Sequence, residues 1–286
     1  MNIKKLGFIK LTAMYFRRFT KHDIPGLSAE MSFYLLTALF PFVILLFFIS
    51  TLISSGMQET LFSIISYLQR DMEILIKEML MTFSGSLPII IIASVLGIWY
   101  ISNVINTITK AVNRFYGAKE SRGFIKLRFL SIMYALSVII IVFISFALVI
   151  FGEWTQMLLD KVPFLDFIDT EQTWSYLRYF SFLAVIFVCI TLMFWHLPDK
   201  KLRFRDVIGG SALTTIAWCI ASYGFAFYVN SFSKYHVIYG SLASIIILVT
   251  WTYLSSFVIL LGASLNAFFY RIRPVKRYYQ ETSNQK

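Results

Sequence analysis

LPIIIIASVLGIWYISNVINTITKAV, residues 87–112, decides the fold. It is 26 residues long with one charge, Lys110, near its end. About 20 mostly apolar helical residues cross a hydrocarbon core of about 30 Å. Five further runs match it: Leu27–Leu52, Phe129–Phe151, Tyr176–Leu197, Val207–Asn230 and Gly240–Tyr270, the last the most interrupted. A soluble domain of 286 residues has no use for six such segments. The reading is an all-α, polytopic membrane protein with six transmembrane helices and amphipathic surface helices.

Composition agrees. Hydrophobic residues make up 58% of the chain and charged ones 14%, against about 25% charged in a soluble domain, and mean hydropathy is +0.72. Six helices absorb nearly half the chain, which reads as one membrane domain with no separate soluble one. The parts are a basic amphipathic arm over 1–24, a membrane domain over 25–270 and a basic tail over 271–286.

The net charge of +11 is a topological signal rather than a nucleic-acid footprint. Lys4, Lys5, Lys10, Arg17, Arg18 and Lys21 precede the first span, and Arg114, Lys119, Arg122, Lys126 and Arg128 follow the second. Lys200, Lys201, Arg203 and Arg205 follow the fourth, and Arg271, Arg273, Lys276 and Arg277 follow the sixth. The alternate connections are acidic, with Glu59, Asp71, Glu73 and Glu78 in one and Glu153, Asp160, Asp166, Asp169 and Glu171 in another. Cations hold loops in the cytoplasm, so both termini are expected there, in a bacterial cytoplasmic membrane. Membrane lipids, above all the anionic cytoplasmic leaflet, are the expected partners, and nucleic acid is not. The first apolar run is too long and begins too late for a cleavable signal peptide.

Two segments read as surface helices. Leu6, Ile9, Ala13 and Phe16 form an apolar stripe in the basic arm Ile3–Lys21, suited to an anionic leaflet. From Met57 to Phe83 the chain is too polar to span, yet Leu61, Ile64, Ile65, Leu68, Met72, Leu75, Ile76 and Met79 keep helical spacing. That segment and the acidic stretch Gly152–Thr173 are expected outside the membrane, where envelope proteins could bind. Pro41, mid-span, should kink the first helix. The third span is nearly all aliphatic and aromatic, and it is expected to face lipid.

The information lies in the polar groups of the spans. Asn103, Asn106, Lys110 and Asn113 are spaced three, four and three apart, hence on one helical face. A central charge facing lipid costs about 2.5–3.5 kcal/mol on insertion scales, so the stripe must face other helices or water. It is either interhelical hydrogen-bond glue or the lining of a polar cleft. Glu30, the only carboxylate in the first span, lies at a depth similar to Lys110 and is its expected ion-pair partner. Gly209, Gly210, Ser211, Gly240, Ser244, Ser255, Ser256, Gly262 and Ser264 suit close helix packing.

Catalytic patterns are missing from the sequence. His22, His196 and His236 are scattered, Cys189 and Cys219 lie inside spans, and no C-x-x-C, H-E-x-x-H, Walker loop or G-x-S-x-G occurs. His196 with Asp199 makes only a weak metal pair. No cofactor or metal site is expected.

Several motifs coincide with a known family. These are Phe33-Tyr34, Leu39-Phe40-Pro41, Trp99, Ser102, Ala111-Val112-Asn113-Arg114-Phe115-Tyr116 and Leu197-Pro198. Further along come Arg205-Asp206, Gly210, Trp218, Tyr239-Gly240-Ser241-Leu242, Trp251, Tyr253 and Leu261-Gly262-Ala263-Ser264-Leu265-Asn266-Ala267. From about Pro25 to Ala267 the chain resembles the YihY/BrkB family of bacterial inner-membrane proteins, whose members often carry a ribonuclease BN-like label. It departs in having Ser264 where the family ending usually has Glu, and Gly209 where many members have Pro. The resemblance implies six transmembrane helices in the cytoplasmic membrane and a nuclease label that is a misassignment. It also implies links, in some members, to serum resistance or envelope lipid traffic. The function expected is transport or binding of a lipid-like or ionic solute through a polar cleft. A non-transporting envelope scaffold is the alternative, and a membrane-bound ribonuclease a distant third.

Overall fold

A computed structural model describes residues 22–53, 86–137, 139–141, 170–231 and 242–283, together with 62, 66, 73, 74 and 76–78. The basic arm up to Lys21, most of the Met57–Phe83 segment and the acidic stretch before Thr170 lie outside the described residues.

Among the described residues, six long helices overlap the six expected spans: α1 Ile24–Ile53, α2 Leu87–Tyr116, α3 Phe124–Ile141, α4 Thr170–His196, α5 Phe204–Ser231 and α6 Leu242–Ser283. Five contain stretches long and apolar enough to cross a membrane, and α4 contributes the shorter apolar stretch Phe182–His196. No strand occurs among the described residues. At about 1.5 Å per residue, α6 is about 63 Å long, so it runs well beyond the hydrocarbon layer and carries Arg271, Arg273, Lys276 and Arg277 on helix.

Local chemistry sets the helix ends. Asp23 starts α1: its side chain accepts from the Gly26 N–H at 3.2 Å and its carbonyl from Leu27 N–H at 3.1 Å. Pro88 stands in the first turn of α2, where the missing N–H costs nothing. Gly117 ends α2 at φ 65°, a left-handed cap that suits glycine, with Ala118 N–H returning to the Asn113 carbonyl at 2.9 Å.

The main packed pairs are α1 with α2, α5 with α6, α1 with α6, α4 with α5 and α2 with α6. The principal core sits at one end. It joins Ile24, Leu27 and Met31 of α1, Ile105, Ile108 and Val112 of α2, Phe194 and Leu197 at the end of α4, Val207 of α5 and Leu260, Ala263 and Ala267 of α6. The opposite halves expose large apolar side chains: Leu87, Ile91 and Val95 of α2, Ile220, Tyr223 and Phe227 of α5, and Leu242 and Ile245 of α6. Among the described residues the packing is thus closed at this end, and the exposed apolar side chains of the other halves form a surface suited to lipid tails. Towards the opposite end Ile76, one residue of the apolar stripe, is buried with Phe47 of α1.

Small residues set two crossings. A Cβ on Gly262 of α6 would collide with the Thr214 side chain of α5, and one on Gly210 of α5 with the Asn266 side chain of α6. Asn266 Nδ2 donates to the Tyr116 hydroxyl at 3.2 Å, which ties α6 to α2 as well. Pro41 stands inside α1 and removes a helical donor. Gly97 of α2 fits beside it, where an added Cβ would stand 3.4 Å from the Pro41 Cβ.

The described part of the third span is mostly exposed: Phe129 and Ile140 are open, as are Phe124 and Ile125 before them, while Ser131, Ala135 and Ile139 are buried. Their spacing of three and four residues gives α3 a packed face and an exposed one.

Candidate functional site

Two polar constellations flank α2. The first is a clasp at the closed end. Asn113, buried at the end of α2, donates from Nδ2 to Glu120 Oε2 at 2.7 Å and accepts at Oδ1 from the Asp199 N–H at 2.7 Å. Arg122 grips Glu120 with two parallel bonds, Nε to Oε1 at 2.6 Å and Nη2 to Oε2 at 2.8 Å, and donates from Nη2 to the Leu197 carbonyl at 2.8 Å. The Asp199 carboxylate accepts from Ser121 N–H at 2.6 Å and Oγ at 2.5 Å. The α2–α3 and α4–α5 connections are thus fastened to each other. Arg114 reaches the His22 carbonyl before α1, and Arg271 of α6 donates to the Phe115 carbonyl. The start of α1, the α2–α3 and α4–α5 loops and the end of the α6 span share one end, as six alternating spans require.

Electrostatics follow. The bidentate bond from Arg122 holds Glu120 below its ordinary value, and the hydrogen bonds from Ser121 hold Asp199 below its own. Glu120 in turn raises Arg122. Asp199 is committed to Ser121, and the His196 ring packs on Trp195 and near Tyr134, so the weak metal pair is not assembled. Among the described residues no group of three His, Cys, Asp or Glu side chains could hold a metal ion.

The second constellation is the polar stripe. Lys110 Nζ lies 3.8 Å from Glu30 Oε1, which also accepts from the Thr107 hydroxyl at 2.9 Å. The pair joins α2 to α1 as expected, but it is not buried: the side chains are 55% and 38% exposed. Asn103 and Asn106 are half-buried on the same face. Asn106 Oδ1 and the neighbouring Ser102 Oγ are buried with no hydrogen-bond partner among the described residues. Asn113 leaves the stripe, since both ends of its amide serve the clasp.

Arg128 completes the stripe. By sequence it belongs with the cations that follow the second span. Instead its guanidinium reaches along α3 to α2, where Nη1 donates to Asn103 Oδ1 at 2.6 Å and Cζ stands 3.6 Å from the Trp99 ring centre. Nε and Nη2 of Arg128 are buried with no partner among the described residues. Arg128, Ser131 and Ala135 mark one face at helical spacing, a signal a strictly apolar search for spans passes over.

Comparison with known proteins places this arrangement in a family. The profile of the Virulence factor BrkB family matches residues 15–286. A ribonuclease-like protein, YfkH, from Bacillus subtilis (strain 168) is 30% identical over 261 residues, 90% of this chain and 94% of that protein. UPF0761 membrane proteins of Xanthomonas campestris and Xanthomonas axonopodis are 43% identical over 83 residues, 29% of this chain and 20% of theirs. No solved structure matches. The chain belongs to the Virulence factor BrkB family, and it is an integral membrane protein of several spans.

Proposed function

We propose that this member of the BrkB family binds and translocates a lipid-like or ionic solute along the polar stripe of α2. The closed end faces the cytoplasm of a bacterial cell. The carrying observation is the half-open pair of Lys110 with Glu30, continued by Asn103 and Asn106, inside a predominantly apolar span. Polar side chains that glue transmembrane helices hydrogen-bond across them. Here Asn106 Oδ1 has no partner among the described residues, and the Lys110–Glu30 pair stays accessible. The orientation rests on the cations Arg114, Lys119, Arg122, Lys126, Lys200, Lys201 and Arg271 gathered at the closed end.

The test is lipid exchange between leaflets in proteoliposomes containing headgroup-labelled lipids. The parent should accelerate exchange over protein-free vesicles, and Asn106→Leu and Lys110→Met should slow it. A parent no faster than empty vesicles overturns the reading. That outcome would favour the second reading, a non-transporting scaffold, for which the tight packing of the closed end speaks. The ribonuclease-like name of YfkH finds no counterpart in the two constellations. Glu120 and Asp199 are engaged by Arg122 and Ser121, and among the described residues no group of three His, Cys, Asp or Glu side chains could hold a metal ion.

A further inference from the structure

The α2 helix is about 45 Å long against a hydrocarbon layer of about 30 Å. With Arg114 at one interface, Asn103 lies about 16 Å of helical rise inside it, near the middle of the layer. The Arg128 guanidinium is bonded at that level. A cation there is costly, and such residues pair with a partner or mark a path. Lys110 has Glu30. Among the described residues, no carboxylate pairs with Arg128.

The unpartnered atoms are informative. Nε and Nη2 form the side edge of a guanidinium, the fork that matches two oxygens of a carboxylate or phosphate. Arg122 shows this chain using that edge, with Nε and Nη2 holding the two oxygens of Glu120. On Arg128 the same edge is buried and meets no acceptor among the described residues, while Nη1 is pinned by Asn103 and the face is covered by Trp99. Charged donors buried without acceptors destabilise the folded state. Asn103 and Trp99 thus orient the fork and leave its Nε–Nη2 edge to an acceptor from outside the described residues. Trp99 is 54% exposed, so its ring can move as the fork fills.

We propose that Arg128, oriented by Asn103 and Trp99, is an intramembrane oxyanion site for the phosphate of an amphiphile, entered from the lipid side of α2 and α3. This rests on the translocation reading above and narrows its solute to anionic lipids. Arg128 binds the headgroup through Nε and Nη2, and the exposed apolar face Ile91, Val95 and Trp99 of α2 receives the chains.

The test is equilibrium binding, without translocation. The full-length protein in zwitterionic detergent is titrated with phosphatidylglycerol, phosphatidylcholine and inorganic phosphate, and retained lipid is counted by native mass spectrometry. The parent should retain phosphatidylglycerol over phosphatidylcholine. Loss of the fork should weaken phosphatidylglycerol by about tenfold or more in Arg128→Gln, with a smaller loss in Arg128→Lys, which keeps charge but not the fork. Displacement of phosphatidylglycerol by millimolar inorganic phosphate assigns the site to free phosphate and overturns the lipid source. Melting temperature guards against misfolding. Arg128→Met removes an unsatisfied charge, so it should melt no lower than the parent without lipid and lose the rise that phosphatidylglycerol gives the parent. A marked drop without lipid makes Arg128 a structural strut and overturns the proposal. Phosphatidylglycerol retention unchanged in Arg128→Gln overturns the site while leaving translocation standing. Exchange between leaflets that fails in the parent, with Arg128-dependent retention intact, removes translocation and leaves the site.

Discussion

The Lys110 ammonium stands 3.8 Å from the Glu30 carboxylate with more than a third of each side chain open to the surroundings. An open pair of this kind contributes little to stability, about 0–1 kcal/mol. Glu30→Gln or Lys110→Met should therefore leave yield and melting temperature close to the parent and act on solute movement. A drop in stability on the order of 3–5 kcal/mol, the cost of orphaning a buried charge, would show that the pair is sealed in the folded protein.

The clasp at Asn113 responds to acid. Glu120 and Asp199 are both held below their ordinary values. The native state thus binds fewer protons than the unfolded one, and the contribution is complete above the unfolded values, about 4. It is lost as pH falls through the lower folded values. Glu120→Gln with Asp199→Asn should lower the melting temperature at pH 7, and the gap should close below about pH 4. A gap of constant size across the acid range would mean that these carboxylates do not fasten the loops.

The crossing of α5 and α6 tolerates no side chain at Gly262. Gly262→Ala should cost about 1–3 kcal/mol through overpacking on Thr214. Adding Thr214→Ala should recover part of it, although it forfeits the hydrogen bond from Thr214 Oγ1 to the Gly210 carbonyl. Additive losses in the double variant would place the strain elsewhere.

Orientation is open to labelling. With Cys189 and Cys219 replaced, Asp166→Cys should react with an impermeant thiol reagent in intact cells and Lys119→Cys only after lysis. The motive is the charge asymmetry, and the reverse pattern would invert the protein.

A nuclease test follows from the same geometry. Purified protein should release no nucleotides from RNA with or without divalent ions. Activity abolished by Glu120→Gln or Asp199→Asn would turn the clasp into a catalytic centre.

The helices were legible because a bilayer imposes a length on each apolar run, and α2, α5 and α6 announce themselves by composition alone. The meeting of Glu30 with Lys110 was legible as well, since equal depth on adjacent spans is a one-dimensional property. The sequence could not show which polar residues would be spent on loops. Asn113 has the same spacing as Asn106, yet it lies one turn from the helix end, where unpaired backbone groups and loop carboxylates compete for it. Arg128 was hidden for a related reason. Its place at the border of an apolar run suggests an interfacial cation, and only its contacts with Asn103 and Trp99 show that it reaches inward.

The confinement of the principal core to one end of the bundle makes the molecule a set of levers with a common fulcrum. A pivot of about 5° at the fulcrum, carried along about 30 Å of helix, moves the far tips by about 3 Å. Gly262 and Thr214 belong to the fixed joint, and Trp99 rides farther out along its arm. For the same pivot Trp99, which lies between the joint and Leu87 at the tip of α2, would move less than that tip.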